Sequence, residues 1–409
     1  MSSIVDAITR HNAGRERARL AMKYARMAQD PFIFLRGACH LYYDALPDAL
    51  RDAPALAKAP LAWCCGDLHF ENVGSYKGDN RLVYFDINDF DEAALAPATW
   101  DIVRLLTSIQ CGAGILNATR AEALAASRAC LDGYRSALIA GKPLWMERET
   151  STGLVKALLS GLEDSQRAAF LDRRTLRSGG KRMLKVNYEK ALPASAAHKA
   201  RISQFMARFA AKEPDPQFYR VLDVARRIAG AGSLGLARFV VLVEGKGSPD
   251  GNYLLDLKEA LPSALEPALA RLRVAQPAWP HAASRVVTIQ DRMQSVDHAF
   301  LRAVKLGHMS CILKELQPTA NRVDLARCKG RPDLLLGVVT AMGRILAWDQ
   351  LRAAGRDGAA AAGALIDFAA GRQWPRELLD ASRAMTRLTQ QQWNTFAEAW
   401  RDGALTRYA

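Results

Sequence analysis

Helical spacing of apolar residues marks the beginning of the chain. Residues 4–27 carry apolar side chains on one helical face, and Pro31 ends or redirects that helix. A second helix is predicted over residues 32–45. After Pro97, apolar residues recur on one face from Ile102 onward. These patterns predict that the first part of the chain is largely helical.

Two capping patterns predict further helices. Thr119 and Glu122 form a capping box, and the helix that follows is predicted to end at Gly141. Region 332–409 is again helical, with a second cap predicted at 389–392. This cap precedes three aromatic residues at helical spacing, which we interpret as core: Trp393, Phe396 and Trp400.

Strand patterns interrupt the helices in the first half of the chain. Short apolar runs at 61–65 and 82–85 flank a polar loop rich in Gly, Asp and Asn, which predicts two strands. Residues 173–190 hold the densest group of basic side chains around a Gly-Gly pair, and we interpret them as an exposed loop or hinge. Up to about residue 210 the prediction is helices around a small β-containing region.

Region 217–318 is richer in strands. Its β-prone run at 236–244 leads through a Ser-Pro-Asp-Gly-Asn turn into a second run at 253–258, which predicts an antiparallel meander. A helix over 286–304 and a strand over 310–316 complete the region.

Composition narrows the class of protein. The chain has 409 residues, 50% hydrophobic and 24% charged, which is typical of a globular protein of two or three structural units. Its formal charge of +14 favours anionic partners such as nucleotide phosphates, nucleic acid or a membrane surface. Apolar runs are shorter than the roughly 18 residues that span a bilayer, and no secretory signal is recognisable. Seven cysteines, of which Cys64 and Cys65 are adjacent and the rest scattered, are typical of reduced thiols, so we expect a cytoplasmic protein without a membrane partner.

Two acidic loops carry the strongest chemical signal. Asp67 and Asn72 are five residues apart after the first predicted strand, and Asp89 follows the second. In phosphoryl transfer, one Asp orients and deprotonates the attacking hydroxyl, while an Asn and a second Asp hold Mg²⁺ on the nucleotide phosphates. The alternative is a turn whose Asp and Asn cap backbone amides. Asp101, at a predicted helix start, is expected to brace the loop, and His69 to support its backbone.

These motifs resemble a known group of enzymes. Residues 66–72 and Asp89 with Phe90 are similar to the catalytic loop and metal-binding aspartate of the aminoglycoside phosphotransferase and choline kinase branch of kinase-like proteins, and Trp100 with Asp101 is similar to a later aspartate of that branch. Most of the chain resembles the bacterial family called domain of unknown function 2252. The features shared with that family are residues 32–37, 85–92, 230–235 and 257–260.

The resemblance implies an unusual order of parts. Kinases present a glycine-rich loop and a strand lysine before the catalytic loop, whereas here both come after it. Glu315 belongs to a stretch, 314–318, that would be the hinge whose backbone meets adenine. Taken in isolation, the glycine-rich segment 230–235 is interpreted as an ordinary hairpin turn, and Lys258 as a solvated lysine on a strand. The nucleotide-binding residues implied are Gly230, Gly232, Ser233, Gly235, Lys258 and Glu315.

The fold implied is α+β: a bilobal, protein-kinase-like fold, circularly permuted, with a small antiparallel β-lobe and a large mainly helical lobe. Residues 1–210 would carry the catalytic and metal-binding loops, 217–318 would form the small nucleotide-binding lobe, and 319–409 would supply the remaining helices. Lys258 lacks a recognisable acidic partner in the sequence; Gln290 and Asp291 are the nearest candidates on the following helix.

Three functions fit the sequence to different degrees. The first is an ATP- and Mg²⁺-dependent phosphotransferase acting on an unidentified small molecule or protein hydroxyl. The second is a catalytically weak, pseudokinase-like nucleotide-binding module or a basic nucleic-acid-binding module, with nucleic acid the less favoured partner. The third is a metallophosphoesterase, which the Gly-Asp-x-His at 66–69 suggests but which lacks the later histidine ligands that a two-metal site needs.

Overall fold

A computed structural model of the chain describes residues 3–163, 167–230, 232–316 and 322–405, and it is an α+β fold. The helices in chain order are α1 Ser3–His11, α2 Arg17–Met27, α3 Pro31–Gly37, α4 Cys39–Ala49, α5 Thr99–Cys111, α6 Arg120–Ala140, α7 Gly153–Glu163, α8 Arg167–Arg174, α9 Ala196–Ala210, α10 Glu266–Arg271, α11 Ala282–Met293, α12 Pro332–Ala353, α13 Ala362–Ala370 and α14 Trp374–Arg401. The strands are β1 Leu61–Cys64, β2 Val73–Lys77, β3 Val83–Ile87, β4 Ala94–Pro97, β5 Thr175–Ser178, β6 Lys181–Leu184, β7 Ala191–Pro193, β8 Val221–Arg227, β9 Arg238–Val243, β10 Tyr253–Glu259, β11 Arg302–Leu306 and β12 Met309–Glu315.

The largest sheet has six strands in the order β11-β12-β10-β9-β8-β7, and every neighbouring pair is antiparallel. The predicted meander is confirmed, because β8, β9 and β10 are consecutive in both sequence and space. The strand predicted over 310–316 is present as β12. Helix α11 follows β10 in the chain and packs against β11 and β12.

Residues before the strand-rich region also pack on this sheet. Helix α9 covers one face with Ile202, Phe205 and Met206, which cluster with Phe239 and Val241. The basic stretch 173–190, which we interpreted from sequence as a loop or hinge, contains the β5–β6 hairpin instead. The hairpin forms because Gly179 and Gly180 both adopt positive φ, which suits a tight turn.

The helical half packs around β1 to β4. β1 pairs with β4 and β2 pairs with β3, so the two strands predicted at 61–65 and 82–85 are present but do not pair with each other. The capping box at Thr119 and Glu122 and the Gly141 terminus of α6 are confirmed. Among the described residues, α12 is the one helix long and apolar enough to cross a membrane, and 67% of its apolar window is buried inside the structure. Such burial is typical of a core helix.

Several predicted helix boundaries are wrong. The first helix is divided in two at Gly14, whose φ is +81°, and the second is divided at Ala38. The helix predicted over 286–304 ends at Met293, since the Gln294 side chain donates to the carbonyl of Ile87 at 2.6 Å and the chain then enters β11.

The C-terminal aromatic residues lie on a longer helix than predicted. The cap predicted at 389–392 is wrong, because these residues lie inside α14. The interpretation of the aromatic face as core is confirmed: Phe396 is fully buried, and Trp393 and Trp400 pack against the same cluster.

Helices α6 and α12 cross in close contact at two glycines. A Cβ atom on Gly343 would lie 2.0 Å from the carbonyl oxygen of Cys130, and one on Gly133 would lie 2.5 Å from that of Thr340. Because both obstacles are backbone atoms, a larger residue has to push the helices apart.

We expect Gly343→Ala to lower the free energy of unfolding by about 1–3 kcal/mol, the usual cost of overpacking. Gly337→Ala is the matched control, because Gly337 lies on the same helix with open space around its Cα. Alanine there is expected to be neutral or stabilising by up to about 1 kcal/mol. Urea unfolding of both variants measures the difference, and equal stability would contradict the close crossing.

Candidate functional site

A cleft of about 240 Å³ lies between the six-stranded sheet and the helical half. Both acidic loops and the glycine-rich turn contribute to it, together with the cleft-facing side of the sheet. Gly235, which was also predicted to bind nucleotide, is not among the lining residues. The predicted residues that line the cleft are Asp67, Asn72, Asp89, Gly230, Gly232, Ser233, Lys258 and Glu315.

Asp101 fixes the backbone of the loop that carries Asp67. The two carboxylate oxygens of Asp101 accept hydrogen bonds from the backbone amides of Cys65 at 2.7 Å and Gly66 at 3.0 Å. Burial raises the pKa of Asp101 to about 7, and the two amide donors limit that rise. Gly66 has φ of +92°, and a Cβ there would lie 2.3 Å from the carbonyl oxygen of Glu92. The predicted bracing role of Asp101 is therefore confirmed.

Asp67 forms an ion pair with Arg104, one helical turn after Asp101 on α5. The Arg104 Nε donates to Asp67 Oδ1 at 2.8 Å, and its Nη2 donates to the same oxygen and, at 2.9 Å, to the carbonyl of Leu35. The Arg104 side chain is fully buried, whereas that of Asp67 is 20% exposed. Burial raises the pKa of Asp67, and attraction to Arg104 offsets part of the rise. The carboxylate is thus held in one orientation at the cleft surface.

The amide side chains near Asp67 are oriented by backbone contacts. The Asn72 amide nitrogen donates to the Asp67 carbonyl at 2.6 Å, so its amide oxygen is the atom suited to a cation. Asn88 is arranged similarly: its amide nitrogen donates to the Ser75 carbonyl at 3.2 Å, and its buried amide oxygen has no partner among the described residues. The His69 Nδ1 accepts from the backbone amide of Glu71, in agreement with its predicted supporting role.

Lys258 crosses the cleft from the sheet to the second acidic loop. It lies on β10, with its side chain 8% exposed, and its Nζ is 3.8 Å from Asp89 Oδ1. The same Nζ forms a closer ion pair with Asp91 Oδ2. Partial desolvation in the cleft would raise the pKa of Asp89, but Lys258, Lys314 and Arg238 outweigh it and hold the pKa below its usual value. Asp91, rather than a residue of α11, is the acidic partner that the sequence did not reveal.

The sheet surface of the cleft carries a compact charge network. Asp256 lies two residues before Lys258 on β10 and is paired with Arg227 and Arg238. Burial alone would raise the pKa of Asp256, but the two arginines lower it strongly. Lys314 lies opposite Asp256 on β12, and its Nζ is 3.4 Å from the Asn88 carbonyl oxygen. Positive charge therefore faces Asp89 from more than one strand.

The glycine-rich turn is held by the N-terminal helices. Arg15 donates to the carbonyls of Gly232 at 2.6 Å and Leu234 at 3.0 Å, and the Lys23 Nζ donates to the Gly232 carbonyl at 3.2 Å. Gly235 has φ of +92°, and a Cβ there would lie 2.8 Å from the Cβ of Arg15. Glycine is thus required by backbone conformation and close packing at this position. Ala231 lies outside the described residues.

The predicted hinge is described in part. The side chain of Glu315, at the end of β12, is 18% exposed, and its Oε1 is 3.8 Å from an Arg167 nitrogen. Burial raises the pKa of Glu315, and Arg167 opposes the rise. Gln317 and Pro318 lie outside the described residues, as does the boundary predicted at 319.

The oxygen atoms that line the cleft suit a cation whose remaining ligands are water or phosphate oxygens. Within the described ranges, no group of three or more His, Cys, Asp or Glu side chains is placed to enclose a metal ion. Asn72 and Asp89 offer one amide oxygen and a carboxylate whose side chain is 49% exposed. Mg²⁺ binds through one or two protein groups when water and phosphate oxygens complete the octahedron. The donor set therefore suits Mg²⁺ on a phosphate ligand and does not suit a closed metal site.

Sequence reasoning missed the partners of the predicted residues. Arg104 had a recognisable signal, because it is an arginine within an apolar run of a predicted helix. Asp91 lies in the Asp-Phe-Asp segment, but its pairing with Lys258 depends on residues 167 positions apart. Arg15 and Lys23 gave no signal, since they hold a turn that follows them by more than 200 residues.

Comparisons with known proteins place the chain in a family. Searches of curated proteins and of solved structures give no match. A family profile matches residues 15–399, which includes both acidic loops, the glycine-rich turn and Lys258. The chain therefore belongs to the family described as "Uncharacterized protein conserved in bacteria (DUF2252)".

Proposed function

We propose that this protein is an ATP- and Mg²⁺-dependent phosphotransferase with a circularly permuted, kinase-like fold, acting on a hydroxyl of an unidentified small molecule or protein. The observation that carries the proposal is the meeting of Lys258 and Asp89 across one cleft, with 3.8 Å between Nζ and Oδ1. These residues come from different halves of the structure, and Asn72 and Asp67 line the same space. A bound triphosphate requires positive groups on both sides to neutralise its negative charge. This cleft allows that, with a lysine on one side and metal-binding oxygens on the other.

The order of elements around Lys258 supports the kinase-like fold. Five strands, β8 to β12, form an antiparallel array in which the glycine-rich turn joins the first two. Lys258 lies on the third strand, and α11 comes between the third and the fourth strands along the chain. Protein kinases likewise carry the glycine-rich loop first, the lysine on the third strand and helix αC after it. In this chain the whole array follows the Asp67 loop, which is the reason for proposing a permutation.

Each residue has a role in the proposed reaction. When bound, ATP supplies the phosphoryl group and Mg²⁺ neutralises charge on its phosphates. The Asn72 amide oxygen and the Asp89 carboxylate would hold the metal, and the Lys258 Nζ would contact phosphate oxygens. Asp67, oriented by Arg104, would accept a hydrogen bond from the acceptor hydroxyl and take up its proton. Asp91 keeps Lys258 directed into the cleft.

A second candidate is a nucleotide-binding protein with little or no turnover. One observation favours it. Asp67 is already bonded to the buried guanidinium of Arg104, which reduces its capacity as a base. A basic nucleic-acid-binding module rests on the net charge alone and is less favoured.

The metal requirement provides the experiment. We expect Mg²⁺ to strengthen ATP binding to the wild type, and Asp89→Ala to remove that gain because the carboxylate ligand is lost. Calorimetric titration of ATP with Mg²⁺ and with EDTA measures both affinities. Asp79→Ala is the matched control, because Asp79 is an exposed carboxylate on a nearby loop. If the wild type binds ATP equally well in both conditions, the proposed metal role is wrong.

A further inference from the structure

A second cavity, of about 190 Å³, lies on the other side of Arg227 from the cleft. Its walls come from α8, the end of the β5–β6 hairpin with the residues that follow it, and the six-stranded sheet. The Arg227 side chain lines both cavities and is 15% exposed. We refer to this space as the hairpin cavity. The proposed phosphotransferase function leaves it unexplained.

The hairpin cavity is surrounded by basic side chains. Glu189 is the one carboxylate among its described lining residues. Within the part of the chain that the structure describes, none of the cavity's basic side chains other than Arg227 forms an ion pair with an acidic residue. Burial lowers the pKa of Arg174, and the neighbouring positive charge of Arg173 lowers it further. The basic residues that line the cavity are Arg173, Arg174, Lys185, Lys190 and Arg227.

Hydrogen-bond donors accompany these charges. The Asn187 Oδ1 accepts from three backbone amides, those of residues 189, 190 and 191, at 2.9–3.3 Å. Because the oxygen is fully used, the amide nitrogen of Asn187 is the end of the side chain available to a ligand, and it can only donate. The Lys185 ammonium group donates one hydrogen bond to the Asp172 carbonyl at 2.5 Å and has two further N–H donors. The polar part of the cavity thus favours acceptor atoms and negative charge.

Apolar side chains line the rest of the hairpin cavity. They are Phe170, Leu184, Val240 and Leu316, and the guanidinium carbon of Arg174 lies 5.8 Å from the centre of the Phe170 ring. A free inorganic ion would contact the basic residues and leave the apolar ones unused. A ligand with an anionic group and a small apolar body would contact both kinds of residue.

We propose that the hairpin cavity binds a small phosphate monoester, with its dianion against Arg174, Lys190 and Asn187 and its organic part against Phe170 and Leu184. Like charges brought together with a single lining carboxylate, that of Glu189, repel one another, and a bound dianion reverses that cost. A guanidinium offers paired donors that match phosphate oxygens. This inference does not depend on the proposed function, because it concerns a different cavity.

Phenyl phosphate and inorganic phosphate are the probes. We expect calorimetry at constant ionic strength to show phenyl phosphate binding to the wild type more tightly than inorganic phosphate does. In the double variant Arg174→Gln/Lys190→Gln the affinity for phenyl phosphate should fall at least tenfold. The charge-preserving variant Arg174→Lys/Lys190→Arg should retain most of it, and thermal melting of both variants verifies that they fold.

Two controls separate this cavity from the cleft and from general charge. Lys258→Ala should leave phenyl phosphate binding intact, because Lys258 does not line the hairpin cavity. Lys156→Gln, which removes one exposed lysine elsewhere, should also have no effect. Loss of binding in Lys258→Ala would assign the anion to the cleft and overturn the proposal. Equal affinity for the two probes, or no binding beyond that of chloride, would overturn it as well.

Discussion

Asp67→Asn is expected to reduce phosphoryl transfer, including slow ATP hydrolysis, by at least about 10²-fold, the usual loss when a general base is removed. Asparagine has nearly the same shape but cannot take up the acceptor proton. Its amide oxygen can still accept from Arg104, so the loop is expected to keep its position. ATP affinity should therefore remain close to that of the wild type, and the loss should appear in kcat.

Steady-state ADP release together with calorimetric ATP binding measures both quantities for this variant. Asp79→Asn is the control, since it makes the same chemical change at an exposed position outside the cleft. Unchanged hydrolysis in Asp67→Asn would favour the second candidate, a nucleotide-binding protein without turnover. A parallel loss of ATP affinity would instead indicate that the substitution disturbs the loop.

Lys258→Met is expected to weaken ATP binding by about 10–100-fold, because a charged hydrogen bond to phosphate contributes about 1.5–3 kcal/mol. Methionine preserves much of the volume of the lysine stem and removes only the ammonium group. The loss should exceed the effect of Asp67→Asn on ATP binding, because Asp67 is proposed to contact the acceptor and not the phosphates.

Lys305→Met is the matched control for this prediction. Lys305 lies on β11 of the same sheet, is exposed and does not line the cleft. Calorimetry of both variants with Mg²⁺ and ATP gives the comparison. Because Asp91 loses its partner in Lys258→Met, a melting curve is needed to separate weakened binding from partial unfolding. Equal ATP affinity in the two variants would remove Lys258 from the proposed site.

The sequence predicted which residues line the cleft better than it predicted the contacts between them. Asp67 and Asn72 are recognisable because they belong to one short loop and are five residues apart, and Asp101 because it lies at a predicted helix start soon after the Asp89 loop. The partner of Lys258 was not, because the pair forms only when the sheet closes over the Asp89 loop. Short-range pattern carries no information about that contact.

Helix ends were the least predictable part of the fold. The pattern after Met293 continued to suggest a helix, yet Tyr76 donates to the carbonyl of Val296 at 2.7 Å and Asp79 donates to that of Asp297 at 2.8 Å. These contacts come from the β2–β3 hairpin, which lies far away in sequence. Tertiary hydrogen bonds therefore determine the local structure after Met293, although the apolar spacing predicts a helix there.

A crystal structure with Mg²⁺ and a non-hydrolysable ATP analogue tests the central claim most directly. We predict one nucleotide whose phosphates lie between the Lys258 ammonium group and a metal ion bound by Asp89 and Asn72, with Gly232 at the mouth of the cleft. The glycine-rich turn should cover the same phosphates, as the proposed permuted kinase-like arrangement requires. A nucleotide bound away from these residues, or Lys258 still paired with Asp91 and making no phosphate contact, would contradict the account.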